Sequence, residues 1–227
     1  MAAAIYQSEA DHDRVSAAVA AAESRSAGEI VTILTEQSDG YSDIALAWSA
    51  AVAILALAAL AFAPGFYLGI WEALSGGWVQ EWRPGALFAL AAFAAALKFA
   101  AMWLLLLWRP LRFWLIPPPV RHARVRNRAV ACFKIGAERR THGRTGVLIY
   151  LSMRERRAEI VADEAIARLV DADVWGAALA AMLGPVREGR IADGLCGAIE
   201  AVGGVLAQHL PRVPDDRNEL PDRLIEV

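Results

Sequence analysis

The sequence has few cysteines and little net charge, and both shortages restrict what the protein does. Cys132 and Cys196 are the two cysteines among 227 residues, and neither belongs to a C-x-x-C pair. This spacing argues against a disulfide framework and a thiolate metal site, and it predicts two reduced, partly buried thiols. A formal net charge of −2 argues against nucleic-acid binding by the chain as a whole.

Several catalytic and targeting patterns are also missing from the sequence. No serine lies in a nucleophile elbow, and there is no glycine-rich phosphate loop. The first 23 residues have no basic segment followed by an apolar run, and they carry Glu9, Asp11 and Asp13. A cleaved signal peptide is therefore not expected.

Apolar residues are in excess, at 57% of the chain with a mean hydropathy of +0.36. Two stretches, 44–63 and 85–108, hold most of this excess. The first has no charged residue, and at ~1.5 Å rise per residue it matches the ~30 Å hydrocarbon core of a bilayer. The second is as long and carries Lys98 near its middle. Together they predict a hairpin of two transmembrane helices.

The residues that flank the two stretches predict an orientation. The segment 64–83 is rich in tryptophan, glycine and tyrosine, which is typical of a loop at a membrane–water interface. Positive residues stay on the cytoplasmic side of a membrane, which predicts an inner-membrane protein with both termini in the cytoplasm. The positive residues after the second stretch are Arg109, Arg112, Arg121, Arg124, Arg126, Arg128 and Lys134.

The same arginines are candidates for a lipid-binding surface. A basic helix over 120–140 would start at the membrane, where each arginine contributes ~1 kcal/mol of attraction to anionic headgroups. The alternative is the solvated face of an ordinary domain helix, and one helix can serve both purposes. Lys98 has two interpretations as well: packing or snorkelling to the interface, or contact with an oligomer partner or a lipid headgroup.

The remaining segments predict one small α/β domain. Its predicted elements are a helix from Ser8 to about Arg25, a strand over 29–35, the basic helix, a strand over 146–151, an antiparallel strand over 158–162, and two apolar-striped helices over 174–186 and 191–206. This order predicts a small mixed sheet flanked by helices, with the hairpin inserted after the first strand. The predicted divisions are 1–43, the hairpin 44–108, 109–210, and an extended tail 211–227.

The soluble segments resemble the TPM domain family, which includes thylakoid-lumen phosphatase-like proteins linked to photosystem II repair and many bacterial membrane proteins. The resemblance covers the first 40 residues and about 134–210, and it depends on the order of several short motifs. These are Ala21-Ala22-Glu23, Ser26-Ala27-Gly28-Glu29-Ile30-Val31, Thr145-Gly146-Val147-Leu148-Ile149, Arg156-Arg157-Ala158-Glu159-Ile160 and Arg187-Glu188-Gly189-Arg190-Ile191-Ala192-Asp193-Gly194-Leu195.

The sequence departs from this family where the family's acidic site is expected. Members with phosphatase activity or bound calcium have acidic and asparagine residues before the Gly-Val-Leu strand, whereas residues 141–145 here are Thr-His-Gly-Arg-Thr. The family also has a Gly-Tyr-Gly-Leu-Glu-Gly loop after the next strand, and residues 162–167 here are Ala-Asp-Glu-Ala-Ile-Ala. Asp163 and Glu164 in this segment are weak catalytic candidates, although paired carboxylates at a helix start are more often caps. If Asp39 and Asp43 approach Asp163, the three could bind a cation such as Ca²⁺.

The favoured hypothesis is a membrane protein whose cytoplasmic α/β domain is a non-catalytic accessory or interaction module. Its expected partners are anionic lipids and either another membrane protein or further copies of the chain. The rival is a metal-dependent phosphatase-like hydrolase or calcium-binding module that uses Asp163 and Glu164, with Asp39 and Asp43 near the membrane as further candidates. Transport through an oligomer of hairpins is a third hypothesis, and it rests on Lys98 alone.

Overall fold

The structure, a computed structural model, describes residues 7–76, 83–136, 145–212, 220 and 222–227. The chain divides into two compact units, an α/β unit of Met1–Asp39 with Pro118–Val227 and a hairpin unit of Gly40–Pro117. The elements in chain order are α1 (Glu9–Glu23), β1 (Glu29–Thr35), α2 (Ser42–Phe62), α3 (Pro64–Ser75), α4 (Pro84–Leu107), α5 (Arg109–Leu115), α6 (Pro118–Gly136), β2 (Gly146–Ser152), β3 (Arg157–Ala162), α7 (Glu164–Ala167), α8 (Ala172–Arg187), α9 (Ile191–His209) and β4 (Ile225–Glu226).

The sheet of the α/β unit is mixed, in the order β3-β2-β1-β4, which confirms the predicted small mixed sheet. β1 runs parallel to β2, so that Glu29 lies opposite Gly146 and Thr35 lies opposite Ser152. β3 pairs antiparallel with β2 through a short turn. The connection between the two parallel strands contains the whole hairpin unit and α6, as a parallel pair requires a long crossover.

Both faces of the two inner strands are covered, because every residue of β1 and β2 is buried. Apolar side chains of one face, among them Ile30 and Ile149, pack with α1, α8 and α9. The other face packs on α6 through Val125, Ala129 and Phe133. Strands buried on both sides read as continuous apolar runs, which is why β2 was recognisable in the sequence.

The tail forms an edge strand that the sequence pattern did not identify. β4 pairs parallel with β1, where Ile33 lies opposite Ile225. Leu224, just before this strand, is buried in the core beside α1 and α9. Two residues are too few to produce the alternation by which strands are recognised in a sequence.

The hairpin unit contains a helix within the segment that was expected to be a loop. α3 begins at Pro64 and ends at Ser75, and Gly76 just after it has a left-handed φ of +74°. Proline at a helix start and glycine just after its end are ordinary helix boundaries, and this signal was present in the sequence. The expectation of a loop was therefore wrong for Pro64–Ser75, whereas 77–82 lie outside the described residues.

Three described helices are long and apolar enough to cross a membrane: α2, α4 and α9. The most apolar windows of α2 and α4 are only 11% and 6% buried, whereas 44% of the α9 window is buried. The apolar side of α9, including Leu195, Ile199 and Val202, is fully buried in the core of the α/β unit. Packing thus separates α9 from the other two, although its length and composition do not.

Candidate functional site

Asp163 follows β3 and is almost completely buried. Its Oδ2 accepts a hydrogen bond of 3.0 Å from the backbone N–H of Gly146, and its own N–H donates to the carbonyl of Gly146. It occupies the cap position of α7, but its side chain makes no capping hydrogen bond there. The carboxylate therefore connects the end of β3 to the start of β2, a fold-stabilising contact that differs from the expected helix cap.

Glu164, the second candidate, faces solvent. Its carboxylate pairs with Arg168 one turn later in the chain. The side chains of Glu164 and Arg168 are 72% and 75% exposed, so water screens the pair and limits its contribution to stability. Asp163 and Glu164 are consecutive in sequence, but the Asp163 side chain bonds to the sheet, whereas the Glu164 side chain lies on the surface.

Asp39 and Asp163 lie at opposite ends of the strands. Asp163 is beside the first residue of β2, whereas Asp39 lies four residues beyond the end of β1, and β1 alone is ~20 Å long at ~3.3 Å per residue. Asp39 instead forms an ion pair of 3.2 Å with Arg124. Asp43 lies in the first turn of α2, in the hairpin unit. The described residues contain no group of three or more His, Cys, Asp or Glu arranged to hold a metal ion.

Two of the predicted lipid-facing arginines have partners within the α/β unit. Besides Arg124, which pairs with Asp39, Arg126 lies 3.6 Å from a carboxylate oxygen of Glu159, and His122 lies 3.7 Å from the other oxygen. Glu159 is a buried residue of β3, so these contacts hold α6 against the sheet. Four of the predicted residues remain as candidates for lipid: Arg109 and Arg128, which are exposed, and Arg112 and Arg121, which are half-buried.

A group of carboxylates that the sequence did not predict lies where β1 begins. Glu23 ends α1, and its Oε1 accepts a 2.8 Å hydrogen bond from the Ile30 N–H. Glu29 is buried, and its Oε2 accepts a 3.1 Å hydrogen bond from the Leu220 N–H. Burial, with smaller contributions from Glu29 and Asp222, raises the pKa of Glu23 to about 8 despite the opposing hydrogen bond from Ile30. Asp222 is some 200 residues away in sequence, so no local pattern indicated this contact.

Lys98 is exposed on α4 within the described residues. An ammonium group at mid-span is unfavourable in lipid unless it snorkels or meets a partner. The interpretations of Lys98 given by the sequence therefore stay predictions.

The fold and these contacts define a mixed α/β protein with an apolar helical insertion. No family model matches the chain, and no curated protein matches it. Among solved structures, the chain is similar to the NMR structure of the BA42 protein from the psychrophilic bacterium Bizionia argentinensis, with a TM-score of 0.57 and 17% identity over 100% of both chains. At this identity the similarity shows the fold alone. The resemblance to the TPM domain family stays a prediction.

Replacing Asp163 with alanine should destabilise the α/β unit by about 1–2 kcal/mol, because the buried Gly146 N–H loses its carboxylate acceptor. Hydrogen exchange of the β2 amides measures this loss in the full-length protein. The matched control is Glu164→Ala, which removes the neighbouring exposed carboxylate and should change stability by less than about 0.5 kcal/mol. Equal effects of the two substitutions would contradict the structural role assigned to Asp163.

Proposed function

We propose that this chain is an integral inner-membrane protein anchored by the hairpin of α2 and α4, and that its cytoplasmic α/β unit is an accessory module that binds another membrane protein. The main observation in support of membrane anchoring is the exposure of large apolar side chains along both helices. Phe62 is 90% exposed and Phe88 is 76% exposed, and Ile54 and Leu55 are both above 60%. A soluble protein rarely exposes so continuous an apolar surface.

The dimensions of the two helices support the same placement. At ~1.5 Å per residue, α2 with 21 residues is ~31 Å long and α4 with 24 residues is ~36 Å long. Both lengths suit a hydrocarbon core of ~30 Å, with modest tilt for the longer helix. α2 and α4 also pack against each other, as two adjacent spans do.

The role of an interaction module is supported by how the candidate carboxylates are used. Asp163 holds Gly146, Asp39 pairs with Arg124, and Glu164 pairs with Arg168. Each of these contacts stabilises the fold or lies on the surface. The phosphatase-like alternative would instead need the carboxylates to lie together in one site. The edge of β3 offers a second form of support, because an edge strand of six residues presents backbone groups to which a partner strand can add.

The orientation is proposed from the basic residues that follow α4. Arg109 and Arg112 come directly after this helix, and Arg121 and Arg128 follow on α6. Cationic side chains resist translocation, and they are attracted to the anionic lipids of the cytoplasmic leaflet. This end of the hairpin is therefore assigned to the cytoplasm, and α3 to the opposite side.

Cysteine labelling tests the anchoring and the orientation together. In a background of Cys132→Ala and Cys196→Ala, a membrane-impermeant maleimide should label Glu72→Cys, in α3, on intact spheroplasts. Glu188→Cys, in the α/β unit, should react only after lysis. Labelling of Glu188→Cys alone on intact cells would reverse the orientation, and release of the protein by alkaline carbonate would contradict the anchoring.

The non-catalytic role is tested by calorimetric titration of the detergent-purified protein with calcium, followed by a generic phosphate-ester assay. We expect neither saturable heat nor turnover. Saturable calcium binding or turnover that is lost in Asp163→Ala or in Glu164→Ala, while the variant stays folded, would support the hydrolase or calcium-binding alternative. The anchoring would survive that result, because the labelling experiment tests it separately.

A further inference from the structure

We infer that the α/β unit binds an amphiphilic anion, a phosphate group on an apolar chain, in a cavity between the β2–β3 turn and the end of α8. The cavity has a volume of about 550 Å³. Pockets for small molecules span ~300–1,000 Å³, so this one accepts a ligand of moderate size. The inference goes beyond the proposed anchoring and accessory role and does not depend on either.

Apolar side chains from two elements line much of the cavity. Leu151 and Met153 come from the end of β2 and the turn that follows it, and Leu183 and Val186 come from the last turns of α8. Leu151 belongs to the buried core, and Met153 and Val186 pack against that core. Most of the apolar lining therefore belongs to the core or packs against it, and it suits the hydrocarbon part of a ligand.

Two arginines, Arg156 and Arg187, line the same cavity. Both are exposed, and in the part of the chain that the structure describes neither guanidinium has an ion-pair or hydrogen-bond partner. Other arginines nearby in sequence differ: Arg154, two positions before Arg156, pairs with Glu36, and Arg190, three positions after Arg187, pairs with Glu188. Two uncompensated guanidinium groups beside an apolar lining are complementary to an anion that carries an apolar chain.

The backbone at Arg156 gives independent support for a ligand. Its φ is +51°, a left-handed conformation that glycine and asparagine adopt far more readily than arginine. This residue closes the turn by donating its N–H to the carbonyl of Met153, a task that requires no particular side chain. Arg187 has an ordinary explanation, since a cation at the end of α8 is favoured by the helix dipole. A left-handed residue is common at the end of a short hairpin loop, but it is usually glycine or asparagine, so the arginine at 156 is the uncommon feature. Strained non-glycine residues cluster at ligand-binding sites.

The chemistry of the lining specifies the class of ligand. Guanidinium groups bind phosphate through paired N–H donors, which gives both charge neutralisation and orientation. An inorganic anion would leave the apolar lining of Leu151, Met153, Leu183 and Val186 in contact with water. A phosphate on a chain of several carbons uses both parts of the cavity, so it should bind more tightly than the bare anion.

Calorimetry of the full-length protein in phosphatidylcholine nanodiscs tests this inference. The probes are octyl phosphate and inorganic phosphate, and empty nanodiscs give the heat of octyl phosphate partitioning into lipid. We expect saturable binding of octyl phosphate, and binding of inorganic phosphate that is at least tenfold weaker. Equal affinity for the two probes, or saturation by neither, would overturn the inference of an amphiphilic ligand.

Four variants locate the site. Arg156→Gln and Arg187→Gln should each weaken binding of octyl phosphate at least tenfold. The matched control, Arg190→Gln, removes the same charge from the adjacent turn and should leave the affinity unchanged. Arg156→Gly should lose binding while its melting temperature stays the same or rises, because glycine relieves the left-handed backbone. Equal weakening by Arg190→Gln, or full affinity in Arg156→Gly, would contradict the site.

Discussion

Replacing Gly203 with alanine should destabilise the α/β unit by about 2 kcal/mol, whereas the same change at Gly204 should stabilise it by about 0.5–1 kcal/mol. A Cβ at Gly203 would lie 2.6 Å from the Cβ of Ala22 and 3.3 Å from its Cα. Carbon atoms pack at about 3.5–4.0 Å, so α1 would have to move away from α9. The Cα of Ala22 belongs to the backbone of α1 and its Cβ is fixed to it, so neither atom can rotate away to relieve the overlap.

Gly204 is the matched control because it lies in the same helix and differs only in its surroundings. A Cβ at Gly204 meets nothing within 4 Å, so alanine there simply improves helix propensity. Hydrogen exchange of β2 amides in the full-length protein measures both changes relative to the wild type. Similar effects at the two positions would show that α1 and α9 are not in close contact at Gly203.

The α/β unit should lose stability as the pH rises from 5 to 8, and Glu23 should account for that loss. Burial raises the pKa of Glu23 from an ordinary 4.5 to about 8. Between these values the folded state holds a proton that the unfolded chain has already released. The unfolding free energy therefore falls as the pH rises through this window, and the contribution is complete only below about pH 4.5.

The size of this effect is limited by solvent. Glu23 is only half-buried, so we expect a decrease on the order of 1–2 kcal/mol between pH 5 and 8 rather than the full value of the shift. Glu23→Gln keeps an acceptor for the Ile30 N–H and cannot ionise. The variant should match the wild type at pH 5 and exceed it in stability at pH 8.

The difference between the wild-type and Glu23→Gln stability curves isolates this residue from the other titrating groups. Glu200→Gln on the exposed side of α9 is the control, and its curve should be parallel to that of the wild type. Parallel curves for Glu23→Gln and the wild type would contradict the buried proton.

The sequence predicted elements whose patterns are local. The strand of residues 29–35 agrees with β1 at both ends, and the apolar run from Gly146 identified the centre of the sheet. The start of α1 was predictable because Ser8 accepts a hydrogen bond from the Asp11 N–H, as a helix cap does. The apolar stripes of α8 and α9 were visible for the same reason, since a helix buries residues at three- and four-residue spacing.

The candidate site was much less predictable than the fold. Asp163 and Asp39 were grouped because both follow strands. However, β3 runs antiparallel to β1, so the last residue of β3 lies beside the first residues of β1 and β2 rather than beside the end of β1. The direction of a strand depends on its pairing partner, which the composition of the strand does not reveal. The sequence thus showed correctly that each carboxylate follows a strand, but it did not show where in the fold that strand ends.

The amino-acid sequence by itself determined the two long apolar helices, the inner strands and the buried faces of the helices, because these follow from periodicity within about twenty residues. Tertiary structure alone decided that Glu23 meets Asp222, that Gly203 touches Ala22, and that Arg156 and Arg187 share one cavity. These contacts join residues that are 31 to 199 positions apart in sequence. They depend on strand order, register and helix packing, which form only when the whole chain folds.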